Sequence, residues 1–259
     1  MTWDEINRKR LPFIRMGDRL FKGMYNEIKK QMAAVIKDRQ TPEQITEAIR
    51  SFTIDEGIVL AAYERFYTRT GLYFAKDTIK SSHKLIEHKD INSDFTEDIW
   101  LKQLLEYVRT HSGRNISSVI KTHYKDIEAI AKQAVELGID EGWGMDKIAR
   151  AIVKRQGEID TWKSLRIART EVVSASNEGV NIGADQLVGK KTKVWISTFD
   201  QRSRTDHMEM DGVKVPYNEN FTTPKGNVMK YPGDQECGDA SDTINCRCGY
   251  EVIVEPEIY

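Results

Sequence analysis

The sequence predicts an α+β protein, in which a long, mostly helical N-terminal region is followed by a small loop-rich domain with a few β-strands. Apolar residues recur at three- and four-residue spacing through the first two-thirds of the chain, as in amphipathic helices. After Gly189, glycine, proline, aspartate and asparagine become frequent. Two strand-like stretches border this last segment, which is why we expect a small sheet there.

The helical prediction rests on apolar spacing and on helix start signals. Thr2 and Glu5 form a capping box before a short helix, which we expect Pro12 to interrupt. A long amphipathic helix follows and ends near Gln40, and Thr41 caps the next one. A long proline-free helix is predicted after Thr53. Further helices are predicted at 98–110, 116–137, 145–154 and 159–183.

The two predicted strands cover 193–198 and 246–254, where β-branched and aromatic residues are frequent. Long loops within a domain tend to be functional or disordered. The aromatic and apolar residues between the two strands argue against disorder. We therefore predict three regions: an N-terminal helical region at 1–95, a helical connecting region at 96–158, and the loop-rich domain at 159–259.

Composition narrows the class of protein. The 259 residues are 39% hydrophobic and 31% charged, which is enough apolar material for a core. No run approaches the roughly 20 apolar residues of a membrane span, and the first twenty residues do not resemble a signal peptide. We expect a soluble protein that starts in the cytoplasm, with no membrane partner. The net charge of -1 gives no general attraction to nucleic acid.

Local charge differs from this average. Residues 1–50 carry 11 Lys and Arg against 7 Asp and Glu. A basic helical face can contact DNA phosphates or a protein partner, and ordinary solvated helix faces also look like this. The residues predicted to make such contacts are Arg8, Lys9, Arg10, Arg15, Arg19 and Lys22.

The three cysteines, Cys237, Cys246 and Cys248, lie within twelve residues of one another. An odd number of cysteines in a cytosolic protein argues against a disulfide framework. On a strand, Cys246 and Cys248 would face the same side, and with His207 and Cys237 they would supply four ligands for a zinc ion. The usual two-residue spacer is absent. The alternative interpretation is that the cysteines are small buried residues and His207 is a hydrogen-bonded structural histidine.

Arginines and carboxylates are concentrated in the same segment, and they have two interpretations. They can form a structural network that holds a loop-rich domain together, because the planar guanidinium suits ion pairs. Alternatively, His207 is a general base that Asp200 or Asp211 orients, or these residues hold a metal. We favour the structural network, since no nucleophile elbow, P-loop, HExxH or GxGxxG motif accompanies these residues. Its predicted members are Arg169, Glu171, Asp200, Arg202, Arg204, His207, Asp211, Asn245 and Arg247.

Several short motifs in the last third resemble the phage Mu protein F-like family, the minor head or head-morphogenesis proteins of tailed bacteriophages. Their order and spacing over some 80 residues carry the resemblance. Ser203 stands where the family usually has threonine, and Cys237 is not part of the family pattern. The matching pieces are Ala168–Glu171, Asn177, Gly179, Lys193, Trp195, Asp200–Arg204, His207, Met210–Gly212, Phe221, Pro232–Asp234 and Asn245–Cys248.

The resemblance implies a minor capsid protein without enzymatic activity. Such a protein would be built into the procapsid near the portal and would assist head assembly and DNA packaging or ejection. The implied partners are the portal protein, the major capsid or scaffolding protein, and phage DNA. The implied location is the virion, inside the capsid, after a stage in the host cytoplasm. The alternative function is a metal-dependent hydrolase or nuclease that uses His207 with Asp200 and Asp211.

Overall fold

The structure, a computed structural model, describes residues 1–82, 97–111, 113–235 and 239–255. Eight helices and five short strands lie in these ranges, which confirms the predicted α+β class. The helices are α1 (Trp3–Ile36), α2 (Pro42–Ser51), α3 (Glu56–Ser82), α4 (Glu97–His111), α5 (Gly113–Asp140), α6 (Met145–Asp185), α7 (Thr205–Glu209) and α8 (Ala240–Thr243). The strands are β1 (Lys190–Ile196), β2 (Lys214–Pro216), β3 (Phe221–Thr222), β4 (Val228–Met229) and β5 (Gly249–Glu255).

Helix α1 continues through Pro12, so the predicted interruption there is wrong. The capping box of Thr2 and Glu5 is present at its start. A proline inside a helix costs about 3 kcal/mol because it removes a hydrogen bond and crowds the preceding turn. Residues on both sides of Pro12, such as Ile6 and Phe21, are buried in the protein interior. This burial offsets the cost of the proline and keeps the helix continuous.

Helix α6 is a single helix of 41 residues, whereas the sequence predicted two helices separated near Gly157. A glycine in a helix interior costs only about 1 kcal/mol. Buried residues lie on both sides of it, including Ile152 and Gln156 before it and Asp160 after it. The helix therefore crosses the predicted boundary between 158 and 159, while the predicted boundary after residue 95 lies outside the described residues.

Helices α1 and α3 pack along α6 more extensively than any other elements of the described chain pack together. Helices α3 and α6 approach each other closely at a pair of glycines: a Cβ atom on Gly179 would lie 2.9 Å from the Gly71 Cα atom. Most residues of α6 between Thr170 and Ala184 are buried, because α1, α3 and the loop-rich segment surround this half of the helix.

The loop-rich segment contains a three-stranded antiparallel sheet in the order β2-β1-β5, with Trp195 opposite Tyr250. Strands β3 and β4 form a separate hairpin. The two strands that the sequence predicted are present, but β5 begins at Gly249, three residues later than expected. Cys246 and Cys248 therefore precede β5 and are not part of it.

One apolar core extends through both the helices and the loop-rich segment. It contains Phe21 and Phe66 from the helices together with Trp195, Phe221 and Met229 from the last quarter of the chain. The loop-rich segment thus shares its interior with the helices. None of the helices in the described residues is long and apolar enough to span a membrane.

Candidate functional site

A histidine and two cysteines converge in the interior of the last quarter of the chain. His207 lies on α7, and Cys246 and Cys248 lie just before β5. The His207 Nδ1 atom is 3.7 Å from the Cys246 Sγ atom and 3.6 Å from the Cys248 Sγ atom. Both cysteines are free thiols, and all three side chains are 1–3% exposed. Their donor atoms therefore face one another at a site shielded from solvent.

A turn, and not the alternation of a strand, brings the two sulfur atoms to the same side. Asn245 has a φ of 56°, in the left-handed region that asparagine tolerates better than most residues. The Cys246 backbone N–H donates to the Thr243 carbonyl at 3.2 Å, which closes the turn. The Asn245 backbone N–H donates to the Thr170 hydroxyl at 3.2 Å and so attaches the turn to α6.

A buried carboxylate lies on the opposite side of the histidine ring. The Asp242 Oδ1 atom is 3.6 Å from the His207 Nε2 atom, and Asp242 is fully buried. Its other oxygen accepts a hydrogen bond from the Asn227 side chain at 2.6 Å. Lys225 lies over the same carboxylate at 3.5 Å and pairs with Asp206 at 3.0 Å. The two nitrogens of His207 thus face chemically different neighbours.

A buried arginine of α1 supports the turn that carries the cysteines. The Arg10 guanidinium donates to the carbonyl oxygens of Arg247 and Cys248, each at 3.1 Å. It also donates to the side chains of Ser176 and Asn177 of α6, at 2.8 and 2.7 Å. Burial lowers the pKa of Arg10 to about 10, while the nearby thiols act in the opposite direction. The guanidinium is therefore charged at neutral pH.

The two thiols are linked in their protonation. The hydrogen bond with Cys246 is the main reason why the pKa of the Cys248 thiol lies well below its usual value, and contacts with His207 and Ser197 lower it further. The same hydrogen bond and burial raise the pKa of Cys246 well above its usual value. The pKa values of the two thiols are therefore shifted in opposite directions.

A second group of predicted network residues lies at the surface beside this site. Arg247 makes a two-pronged ion pair with Asp200, with the Nη2 and Oδ1 atoms 2.5 Å apart. Asp200 also accepts from the Arg202 backbone N–H at 2.8 Å and from the Ser203 hydroxyl. The hydrogen bond from Arg247 holds the pKa of Asp200 well below its usual range. This ion pair ties the loop after β1 to the turn before β5.

Arg204 and Asp211 each make a hydrogen bond to a backbone group of another loop. The Arg204 guanidinium donates to the Ile244 carbonyl at 2.7 Å. The Asp211 carboxylate accepts from the Ser197 backbone N–H at 2.7 Å. These two contacts connect loops to neighbouring loops and to the end of β1, and neither involves another charged side chain.

The described contacts of Arg169 and Glu171 are with residues outside the predicted network. Glu171 is buried and accepts from the Tyr67 hydroxyl at 2.6 Å and from the Gln235 side chain at 2.8 Å. Arg169 is exposed on the opposite side of α6, close to Asp18 of α1. The residues predicted as one network are thus distributed over separate clusters.

The residues of the alternative hydrolase site are not assembled. His207 faces Asp242 and the two cysteines, whereas Asp200 is paired with Arg247 and Asp211 accepts from the Ser197 backbone N–H just after β1. The fourth predicted zinc ligand, Cys237, lies outside the described residues.

The basic residues predicted on α1 have different environments. Arg10 is buried and fully engaged by the contacts described above, so its assignment to a DNA or partner contact is wrong. Lys9 pairs with Asp77 at 2.6 Å, and Lys22 pairs with Asp18 at 2.8 Å. The three remaining arginines are exposed: Arg8, Arg15 and Arg19.

Sequence reasoning missed two residues of this site. Asp242 is far from His207 in the chain and belongs to no motif, so no local signal marks it. Arg10 did have a signal, because it lies four residues after Ile6 and seven before Gly17, on the buried face of α1. The charge of Arg10 predicts an exposed side chain, whereas its position on the helix predicts a buried one.

Part of the chain is similar to a known protein family. Residues 129–251 match the model of the phage Mu protein F-like proteins. Over 241 residues the chain is 24% identical to the minor head protein GP7 of Bacillus phage SPP1. This match covers 90% of this chain and 70% of GP7. These two similarities support a Mu F-like head morphogenesis protein. No solved structure matches it.

The two similarities support a role in phage head morphogenesis. A minor head protein implies a location in the virion and interaction with other virion components. The chain is also 31% identical over 153 residues to an NAD(+)–arginine ADP-ribosyltransferase, EFV, of Enterococcus faecalis. That match covers 57% of this chain and 31% of the enzyme. The similarity to a head protein is the longer of the two and indicates a structural role.

Proposed function

We propose that this Mu F-like protein is built into the procapsid beside the portal, contacts the packaged DNA with a basic face, and has no catalytic activity of its own. The similarity to a minor head protein over 90% of the chain carries the proposal. The partners we expect are the portal protein, the major capsid or scaffolding protein, and phage DNA. The host cytoplasm is the compartment in which we expect assembly to begin.

Six basic residues form the surface that we propose for DNA contact. Three of them lie at positions i, i+7 and i+11 of α1, a spacing that places them on one side of a helix. Helix α6 runs alongside, because the Ser164 hydroxyl donates to the Asp18 carboxylate at 2.8 Å. We call this surface the α1–α6 basic face: Arg8, Arg15, Arg19, Lys22, Arg166 and Arg169.

The chemistry of this face suits a phosphate backbone. Arginine binds phosphate oxygens in a two-pronged manner, without regard to base sequence. The exposed Trp162 lies next to the face, with the Arg166 guanidinium 4.8 Å from its ring. An interaction of this kind requires no net positive charge on the whole chain, because salt screens charges beyond roughly 10 Å.

The DNA contact is tested with a double variant, Arg15→Gln with Arg19→Gln. We expect weaker binding to duplex DNA and a smaller dependence of the binding constant on salt, by about 0.9 in logarithmic slope for each phosphate that the variant no longer neutralises. The matched control replaces two exposed lysines of the sheet, Lys190→Gln with Lys214→Gln, and should leave both quantities unchanged. Equal effects of the two double variants would contradict a defined DNA-binding face.

The position beside the portal is tested by assembling heads with and without the portal protein. We expect the chain in particles that contain the portal and not in particles assembled without it. Equal incorporation into both kinds of particle would show that the chain binds the capsid shell independently of the portal.

The absence of catalysis is supported by the separation of His207 from the carboxylates of the alternative hydrolase site. Purified full-length chain, incubated with DNA and Mg²⁺, Mn²⁺ or Zn²⁺, or with NAD⁺ and an arginine-rich protein, should produce neither cleavage nor ADP-ribose transfer. Activity that His207→Ala abolishes would overturn this part of the proposal.

A further inference from the structure

We propose that Cys246, Cys248 and His207 bind one zinc ion through their two sulfur atoms and the Nδ1 atom, and that this ion holds the end of the chain in place. The proposal rests on the arrangement of donor atoms and on the groups that surround them. It is independent of the DNA and portal contacts proposed above.

The distances between the donor atoms agree with a tetrahedral zinc site. Zinc binds sulfur at about 2.3 Å and imidazole nitrogen at about 2.0 Å, which places the two kinds of ligand about 3.5 Å apart. The His207 Nδ1 atom is 3.7 and 3.6 Å from the two sulfur atoms. All three donor atoms lie within 4.8 Å of one another. Zinc sites with three protein ligands take water or another donor as the fourth ligand.

The Nδ1 atom of a neutral imidazole cannot accept good hydrogen bonds from both thiols at once. A neutral imidazole has a single acceptor nitrogen, with one lone pair in the plane of the ring. Both Cys246 and Cys248 point a sulfur atom at the same Nδ1 atom of His207, so only one of the two thiols can donate to it well. A metal ion at the centre of the three atoms uses all of them.

The environment of the second ring nitrogen also suits a metal site. Histidines that bind metals usually donate their other N–H to a carboxylate or a carbonyl, which fixes the ring and increases its basicity. The Asp242 carboxylate, which is fully buried, lies 3.6 Å from the His207 Nε2 atom. The Asn227 side chain holds this carboxylate from the other side.

The carboxylate side of the ring is less suited to a metal. Asp206, His207 and Asp242 also bring their donor atoms together there. Lys225 already lies between the two carboxylates, at 3.0 Å from Asp206 and 3.5 Å from Asp242. A divalent cation at that position would meet the positive charge of the lysine, which leaves the sulfur side for the metal.

The charge of Arg10 favours the thiolate form that a metal requires. Zinc binds cysteine as thiolate, and two buried thiolates need compensating positive charge. The Arg10 guanidinium is buried against the carbonyls of Arg247 and Cys248, so its charge lies beside the turn that carries both cysteines. An ion at this site would join α7 to the turn before β5, a part of the chain with few regular elements.

The first test is the zinc content of the purified full chain, measured by elemental analysis after removal of loosely bound metal. We expect one zinc ion per chain in the wild type and loss of this zinc in His207→Ala. The matched control is His123→Ala, since His123 is equally buried and also lies 3.6 Å from a carboxylate, that of Asp160. The control should keep its zinc. Equal zinc content in the two variants, or none in the wild type, would overturn the proposal.

A second measurement does not depend on a disruptive variant. Replacement of zinc by Co²⁺ in the wild type should produce a thiolate-to-cobalt charge-transfer band and the strong visible bands of tetrahedral cobalt. Asp242→Asn should weaken zinc binding by about 10- to 100-fold, whereas Asp160→Asn should not change it. A cobalt spectrum without thiolate bands would exclude Cys246 and Cys248 as ligands and so overturn the proposal.

Discussion

At the scale of single residues, the buried polar groups explain how a loop-rich segment keeps one conformation. Arg10 binds two carbonyls of the turn before β5 and two side chains of α6. An ionised donor that makes several hydrogen bonds in the interior contributes more than an exposed ion pair, because water does not compete for it. One side chain thus connects the start of the chain to its end.

Replacement of Arg10 should therefore be costly. We expect Arg10→Ala to lower the free energy of unfolding by about 3 kcal/mol, because it leaves buried carbonyl groups without a donor. The control Arg8→Ala removes an exposed arginine of the same helix and should change stability by less than about 0.5 kcal/mol. Urea titration of the two variants measures this difference. Similar losses would show that the contacts of Arg10 do not stabilise the fold.

The buried carboxyl of Glu178 should make stability depend on pH. Burial raises the pKa of Glu178 from 4.5 to about 7, although a hydrogen bond from the Tyr231 hydroxyl at 2.6 Å acts against it. The folded state therefore binds this proton more tightly than the unfolded chain does. The resulting stabilisation is complete below pH 4.5 and is lost as the pH rises through 7.

We expect the free energy of unfolding to fall between pH 5 and 7.5, by up to about 3 kcal/mol from this residue. Burial raises the pKa of Asp160 and lowers the pKa of His123. Their contributions to the pH dependence of stability therefore oppose each other over most of this range. Glu178→Gln keeps an acceptor for Tyr231 but has no proton to lose, so urea titrations of this variant at the two pH values should show a smaller fall. An unchanged fall would assign the pH dependence to other groups.

At the scale of elements, α6 organises the molecule. Its C-terminal half is buried on nearly every side, because α1, α3 and the loop-rich segment all pack against it. Small residues make this possible, and the contact of Gly71 with Gly179 allows α3 to approach closely.

Gly179→Ala should separate these two helices. The added Cβ atom would lie 2.9 Å from the Gly71 Cα atom, and backbone cannot move aside without shifting a helix. We expect a loss of about 1–3 kcal/mol in the free energy of unfolding. In contrast, Gly23→Ala adds a methyl group with no neighbour within 4 Å and should stabilise α1 by up to about 1 kcal/mol. A Gly179→Ala protein as stable as the wild type, by urea titration, would show that this approach is not tight.

The sequence predicted these elements well where the apolar periodicity is strong. It predicted them less well where tertiary contacts determine where an element begins or ends. Most helices and both long strands were expected, because their apolar spacing is regular. The continuity of α1 through Pro12 and of α6 through Gly157 depends on packing against other elements, which local propensity does not include. The contact between His207 and Asp242 depends on the path of a long loop, and neither period nor propensity determines that path.

At the scale of the whole molecule, the last quarter of the chain is one structural unit with the helices. Trp195 and Phe221 belong to the same core as Phe21 and Phe66. This shared core fixes the position of the α1–α6 basic face relative to the buried cysteines. This arrangement suits a protein that holds a defined position among other virion components.

The presence of the chain in purified heads tests this account most directly. Procapsids and mature heads of the phage that encodes it are isolated, and the chain is quantified by mass spectrometry relative to the portal protein. We predict that both kinds of particle contain the chain, in a small number of copies comparable to the portal. Absence of the chain from both procapsids and mature heads would contradict the account.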